Sequence, residues 1–402
     1  MNKKLLAVLM SSAFLLTACG GDDDSSVSDD GIPKNNIVNP VVATPTADTL
    51  TDMSPSPADS VVMTYKMLGV NGKEVQATSL VFTPKTPVPK DGWPIVIWAH
   101  GTTGVADVCA PSKNTITGST FSLITDLLDA GYVVVAPNYE GLGEPSGEEA
   151  HPFLNVKSEA YSITDAVVAT RSWLRGKVSD KWVTVGHSQG GQAALGAAQY
   201  ASRAQLNYKG TVAVAPASNL KTIFDFGTEY AKTLSPAEKI GIYASLNTYG
   251  ALIVAGMQNQ PNPATYAQVF QTEAEITATD ASRLCATPLG VEFATEMGQV
   301  YPSNPTLFGY LTQTNFMQVP TVSTFINKTA QPLTVKVTTP IKIYQGQLDT
   351  TVPIVATTQL IQSAKALGTK ITEVEGLWNH SSAMNDNVDN IVTDVNEMFV
   401  AQ

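Results

Sequence analysis

An α/β fold is predicted, with a mostly parallel sheet covered by helices on both faces and interrupted by a large helical insertion; three observations predict it. Short apolar runs alternate with helical patterns of ten residues or more, the arrangement that yields parallel strands joined by crossover helices. Several runs are continuously apolar, such as 94–99 and 132–136, as strands buried on both faces must be. Between the runs at 211–215 and 340–345 lie about 125 residues that break the rhythm, too many for a loop.

Taken in order, residues 61–68 and 75–83 read as two strands around the turn Val70-Asn71-Gly72-Lys73, where Asn-Gly is a strong hairpin signal. Strand 94–99 runs into a Gly-rich loop. A helical pattern over 119–130 is stopped by Gly131, and strand 132–136 follows. Helix 157–175, strand 182–186, helix 190–203 and strand 211–215 come next. The insertion holds several helical stretches and the turns Pro261-Asn262-Pro263 and Asn304-Pro305, and it reads as a cap over the sheet. Strand 340–345, helix 353–367, strand 370–375 and a last helix from about 387 complete the pattern. Pro353 suits the first turn of its helix.

With 402 residues, 43% hydrophobic and 15% charged, the chain has the composition of a globular protein with a sizeable core. Its net charge of -11 repels phosphate backbones and argues against nucleic acid as a partner. At the N-terminus, Lys3 and Lys4 precede an apolar run from Leu5 to Leu16. That run is too short to span a bilayer and suits the apolar region of a signal peptide. Leu16-Thr17-Ala18-Cys19 resembles the bacterial lipobox, whose cysteine becomes the lipidated N-terminus after cleavage. Gly20 after that cysteine implies an outer-membrane lipoprotein. The expected organisation is a signal peptide over 1–18 and a flexible tether over 19–55, rich in Asp, Ser, Pro, Thr and Asn. The first part of the core follows over 56–216, the cap over 217–338 and the second part of the core over 339–402. With Cys19 lipidated, an exported chain leaves Cys109 and Cys285 to form a disulfide. It would close a loop of about 175 residues, worth about 4–5 kcal/mol on the chain-entropy model.

The chemistry centres on Gly186-His187-Ser188-Gln189-Gly190-Gly191, directly after a buried strand and directly before a helix. This is G-x-S-x-G in the setting its mechanics require: a tight strand-to-helix turn that lifts the serine hydroxyl above the strand ends. The helix N-terminus there favours developing negative charge. The serine needs a base, and the chain has only His100, His151, His187 and His380. The order for such a turn is serine, acid, histidine, and only His380 follows Ser188. His187 adjoins the serine and is expected to point away from it. Asp349 is the only carboxylate between Glu296 and Glu373; it follows strand 340–345, where the acid that orients the imidazole belongs. The loop His100-Gly101-Thr102-Thr103-Gly104 is placed to supply one oxyanion N–H, from Thr102 or Thr103, and Gln189 the other. No metal-ligand cluster, Walker loop or dinucleotide fingerprint appears, and the chemistry requires no cofactor.

Ala99-His100-Gly101-Thr102-Thr103-Gly104, Asn138-Tyr139-Glu140-Gly141-Leu142-Gly143 and Gly186-His187-Ser188-Gln189-Gly190-Gly191 together resemble the secretory lipases of the lipase A type, within the α/β-hydrolase fold. The resemblance covers roughly residues 60–400. It implies hydrolysis of carboxylic esters, either small molecules or lipids, with a helical cap shaping an acyl pocket. On this chain it implies the same triad, Ser188, Asp349 and His380. The lipoprotein N-terminus departs from the family and leaves bulk triglyceride and smaller soluble esters both open as substrates. Phe224, Phe226, Tyr243 and Tyr249 are either pocket-narrowing aromatics or plain core. A serine peptidase and an inactive binding module are the competing readings of the same elbow.

Overall fold

The computed structural model describes residues 27–28, 30–51, 53 and 56–400. The expected signal peptide, Cys19 and the start of the tether lie outside these described residues. Among the described residues, nine strands run as β1 Thr46–Ala47, β2 Pro57–Leu68, β3 Glu74–Pro84, β4 Trp93–Ala99, β5 Val133–Pro137, β6 Val178–His187, β7 Asn207–Val214, β8 Ile341–Gly346 and β9 Ile371–Gly376. They form one sheet in the order β1-β2-β3-β5-β4-β6-β7-β8-β9. The pairings from β1 to β5 are antiparallel; those from β5 to β9 are all parallel. The hairpin between β2 and β3 turns at Gly72, whose φ of 71° is the left-handed value that Asn-Gly turns supply.

The apolar runs are buried twice over, as their composition requires. In β4, Ile95 and Ile97 join one core with Val133 and Val135 of β5, while Val96 and Trp98 join the other with Val134. This is the two-residue alternation of a strand serving two layers. The first layer is closed by α2 (Val156–Trp173), α3 (Gln189–Gln199) and α10 (Ile354–Ala366), through residues such as Ile163, Ala194 and Leu360. The second is closed by α1 (Gly118–Asp129) and α12 (Val388–Val400), through Leu123, Leu127, Ile391 and Val395. Asn155 caps α2 by accepting the Ser158 N–H at 3.2 Å.

Between β7 and β8 run α4 (Leu220–Ala231), α5 (Pro236–Met257), α6 (Tyr266–Val269), α7 (Thr272–Ala278), α8 (Ala286–Val300) and α9 (Pro320–Thr324). They share an apolar core of their own, and Phe153, Leu154 and Val352 from the sheet side reach into it. Its centre is α5, started by a Ser235–Glu238 capping box with Pro236 in the first turn. This helix is long and apolar enough to cross a membrane, yet 67% of its most apolar stretch is buried within the protein. It serves as the core of the insertion.

The segment expected as a free tether departs from that reading from residue 27 onward. Its described part lies along the body. The Asn35 side chain donates to Asp165 at 2.8 Å, and Arg203 donates to the Pro33 carbonyl at 2.9 Å. The Val42 N–H donates to Thr64, the Lys66 N–H donates to Pro40, and β1 pairs with β2. The physical cause is twofold: β2 leaves an open sheet edge that wants a partner, and the buried Asp165–Arg203 pair needs its remaining hydrogen-bonding capacity filled.

Candidate active site

The turn from β6 to α3 holds Ser188 at φ 61° and ψ −119°, a strained conformation for a residue with a side chain. Glycine on both sides makes it possible. A Cβ on Gly186 would lie 2.0 Å from the Gly190 carbonyl oxygen, and one on Gly190 would lie 1.8 Å from that of Ala99. The Ser188 N–H donates to Val214 at 2.9 Å, fastening the turn to β7.

Ser188 Oγ lies 2.9 Å from His380 Nε2, and His380 Nδ1 lies 2.7 Å from Asp349 Oδ2. With the proton on Nδ1 donated to the carboxylate, Nε2 is free to accept from the hydroxyl. Asp349 is buried and its other oxygen takes the N–H groups of Thr351 and Val352 at 2.9 and 2.8 Å. One oxygen thus shapes the turn and the other faces the imidazole. The loop that carries His380, between β9 and α11 (Ser382–Asn385), packs directly on the Asp349 loop. A Cβ on Gly346 would lie 2.1 Å from the Trp378 carbonyl oxygen, and that carbonyl accepts the Leu348 N–H at 3.0 Å.

The His187 side chain, expected to point away from Ser188, is directed at the His380 loop. Its ring packs 4.7 Å from that of His380, and its Nε2–H donates to the His380 carbonyl at 2.9 Å. The backbone of the His380 loop needs a donor, and the neighbouring elbow residue supplies it. Burial, and then the adjacent His380, lower the His187 pKa to about 4, so it stays neutral.

Thr102 and Thr103 both reach the site. Thr102 lines the space on either side of Ser188. The Thr103 carbonyl accepts the Ala286 N–H at 2.8 Å, binding this loop to the start of α8. Gln189 is the first residue of α3, so its N–H has no acceptor within its own helix. The expected Cys109–Cys285 disulfide is present, across a separation of 176 residues. A Cβ on Gly104 would meet Cys109 Sγ at 2.7 Å, so the bridge presses on the same loop.

Behind this loop lies a buried polar cluster that sequence reasoning did not identify. The Gln189 side-chain amide donates to Glu159 Oε1 and to His151 Nε2, both at 2.8 Å. His151 Nδ1–H donates to the Glu140 carbonyl at 2.9 Å, and the Glu140 carboxylate takes the Val70 N–H at 2.7 Å. Burial pushes Glu159 up to about 8 and Glu140 up to about 7, and lowers His151 to about 3. Tyr139 stacks on His100 with ring centres 4.3 Å apart and donates its hydroxyl to the His100 carbonyl at 3.0 Å, propping the loop from below. The signal was available: 138–143 is one of the three motifs quoted above, and these are its contacts. Among the described residues, no group of three or more His, Cys, Asp or Glu is placed to hold a metal ion.

The secretory lipase family matches residues 108–394, well over half of the chain and including Ser188, Asp349 and His380. The chain belongs to the secretory lipase family. It is therefore a carboxylic ester hydrolase of the esterase and lipase class. No curated protein sequence matches the chain. Among solved structures, Candida antarctica lipase A in its closed state has a TM-score of 0.67 at 16% identity, covering 90% of this chain and 82% of that one. The rice cell wall degrading esterase LipA from Xanthomonas oryzae has a TM-score of 0.66 at 19% identity, covering 89% and 97%. At these identities the likeness shows the fold, and that fold is the α/β-hydrolase one.

Proposed function

We propose that this secretory lipase cleaves esters through an acyl-enzyme on Ser188, with His380 as general base and Asp349 as the acid that orients it. The observation that carries the reading is the unbroken chain of contacts from hydroxyl to imidazole to buried carboxylate, 2.9 and 2.7 Å long. Ser188 Oγ attacks the ester carbonyl carbon while its proton passes to His380 Nε2. Backbone N–H groups of Gln189 and of Thr102 hold the oxyanion. The C–O bond to the alcohol then breaks, and the imidazolium returns the proton to the leaving oxygen. Water, deprotonated by the same imidazole, attacks the acyl-serine; the acid leaves and the proton goes back to Ser188. Asp349 stabilises the imidazolium without taking its proton. No cofactor enters any step.

The insertion over 217–338 acts as a cap on a core made of 56–216 and 339–402; its shared apolar core with Phe153 and Val352 supports that division. The N-terminal 18 residues act as a signal peptide and Cys19 carries lipid, anchoring the protein to the outer membrane. The family's secretory character and the run from Lys3 to Cys19 support this part.

Hydrolysis of p-nitrophenyl acetate tests the mechanism. Ser188→Ala is expected to lower kcat by at least about 10³-fold, and Asp349→Asn by on the order of 10⁴-fold. A Ser188→Ala protein that turns over at the wild-type rate would remove the reading.

A further inference from the structure

The elbow after β6 turns two neighbouring side chains toward the same histidine. Ser188 presents its hydroxyl to His380 Nε2 at 2.9 Å. His187, one residue earlier, packs its ring on that of His380 with centres 4.7 Å apart and planes tilted by 41°. Its Nε2–H donates to the His380 carbonyl at 2.9 Å. The base is thus held by the elbow twice, through its ring by Ser188 and through its own backbone by His187.

The construction of the His380 loop shows what the second hold contributes. Asn379 fastens the loop to itself, its side-chain oxygen taking the N–H groups of Ser381 and Ser382 at 3.1 and 2.8 Å. Trp378 fastens it to the Asp349 loop by accepting the Leu348 N–H at 3.0 Å. These bonds set His380 against Asp349, whereas its distance from Ser188 calls for a tie to the nucleophile's own turn. His187 is such a tie, since it ends β6 and directly precedes Ser188. The oxyanion loop backs it: a Cβ on Gly101 would lie 3.4 Å from the His187 carbonyl oxygen and 4.0 Å from its Nδ1, in ordinary contact. Burial, and then the adjacent His380, keep His187 neutral, so it adds no positive charge beside the imidazolium that forms during the reaction.

Resting on the triad mechanism proposed above, we infer that His187 is a positioning residue of the reaction: its ring and its bond to the His380 carbonyl set the distance between base and nucleophile. It touches no reacting atom and acts through His380. The distance matters because the proton crosses from Oγ to Nε2 in one step and returns to the leaving oxygen in the next. A displacement of about 1 Å at such a contact costs on the order of 10²-fold in rate.

The test is kcat and KM for p-nitrophenyl acetate in His187→Phe, which keeps a ring and deletes the donor, and in His187→Gln, which places an amide N–H near the position of Nε2–H. His187→Phe is expected to lower kcat by about 10- to 100-fold with KM changed less than about threefold, and His187→Gln to recover most of that loss. Each change is then repeated in a His380→Ala background. There His187→Phe is expected to alter the residual rate less than about twofold, because residues that act as a unit are not additive. A wild-type kcat in His187→Phe, a loss that His187→Gln does not restore, or a loss of full size in the absence of His380 overturns this inference and leaves the mechanism standing. His187→Leu enters the same cycle if His187→Phe does not fold. A His380→Ala protein that turns over at the wild-type rate overturns the mechanism, and this inference with it.

Discussion

A carboxyl group held away from water behind the oxyanion loop makes the stability of the fold depend on pH. Glu159 accepts the Gln189 amide and the Leu154 N–H on one oxygen, and its other oxygen is buried without a partner. Burial raises its pKa from 4.5 to about 8, so the folded state binds this proton more tightly than the unfolded chain. The sign follows from linkage. Below about pH 4.5 both states are protonated and burial carries no penalty from this group; as pH rises toward 8 the unfolded state ionises and the folded state is progressively disfavoured. Glu159→Gln keeps a hydrogen-bonding side chain without the charge. Its unfolding free energy, followed by denaturant titration from pH 4.5 to 9, is expected to fall less than that of the wild type. At pH 9 the variant should be ahead by a few kcal/mol, since a tenfold change in proton affinity is worth about 1.4 kcal/mol. Curves that run parallel would discard this account. Residue-scale legibility was uneven for a physical reason. Ser188, Asp349 and His380, which the fold brings into one chain of contacts, were legible as candidates because histidines and carboxylates are scarce where the chain order demands them. Glu159 was not, because one carboxylate within a helical pattern looks the same whether it faces solvent or a sealed interior.

Among the elements, the β6–α3 elbow tolerates the least change. Strand β4 and helix α3 approach so closely at Gly190 that a methyl group would fall within 1.8 Å of the Ala99 carbonyl oxygen and 2.7 Å of that of His100. Both are backbone atoms, and neither can swing aside as a side chain could. Gly190→Ala is therefore expected to cost about 3 kcal/mol or more, as overpacking against a rigid neighbour does, and to displace the His100–Gly104 loop. Thermal unfolding together with ester turnover checks both effects; a variant with unchanged melting temperature and rate contradicts the geometry. Elements were where the sequence spoke most clearly. Every expected strand and helix of the core is present within a few residues, and strands buried on both faces, such as β4 and β5, leave the clearest apolar signature. Within the insertion the sequence showed only that helices were present. Of its four aromatics singled out, Phe224 and Tyr249 line an apolar cavity of about 40 Å³ beside Ser188, Tyr243 packs against the insertion's core, and Phe226 stacks on Tyr230. Which face of an insertion helix looks inward depends on how the helices pack against one another, and no periodicity records that.

At the scale of the whole molecule, the sequence misled over the N-terminal stretch. Its polar, proline-containing composition resembles a linker, but an extended segment that pairs with a sheet edge needs few apolar residues of its own. Lipidation of Cys19 is testable directly: cells fed labelled palmitate are expected to yield a labelled wild-type protein and an unlabelled Cys19→Ser variant. An unlabelled wild type would refute the anchor. If Cys19 carries the proposed lipid, the docking of residues 30–51 against β2, Asp165 and Arg203 governs how far the enzyme can work from it. A leash running freely from 19 to 55 could extend roughly 120 Å at 3.3–3.6 Å per residue. With the chain secured from Val27 onward, the same spacing leaves less than about 30 Å between the acylated cysteine and the globular body. With Cys19 lipidated as proposed, such a hydrolase would graze the headgroups rather than sample the space above them, and the esters it met would be those released at, or delivered to, the membrane surface.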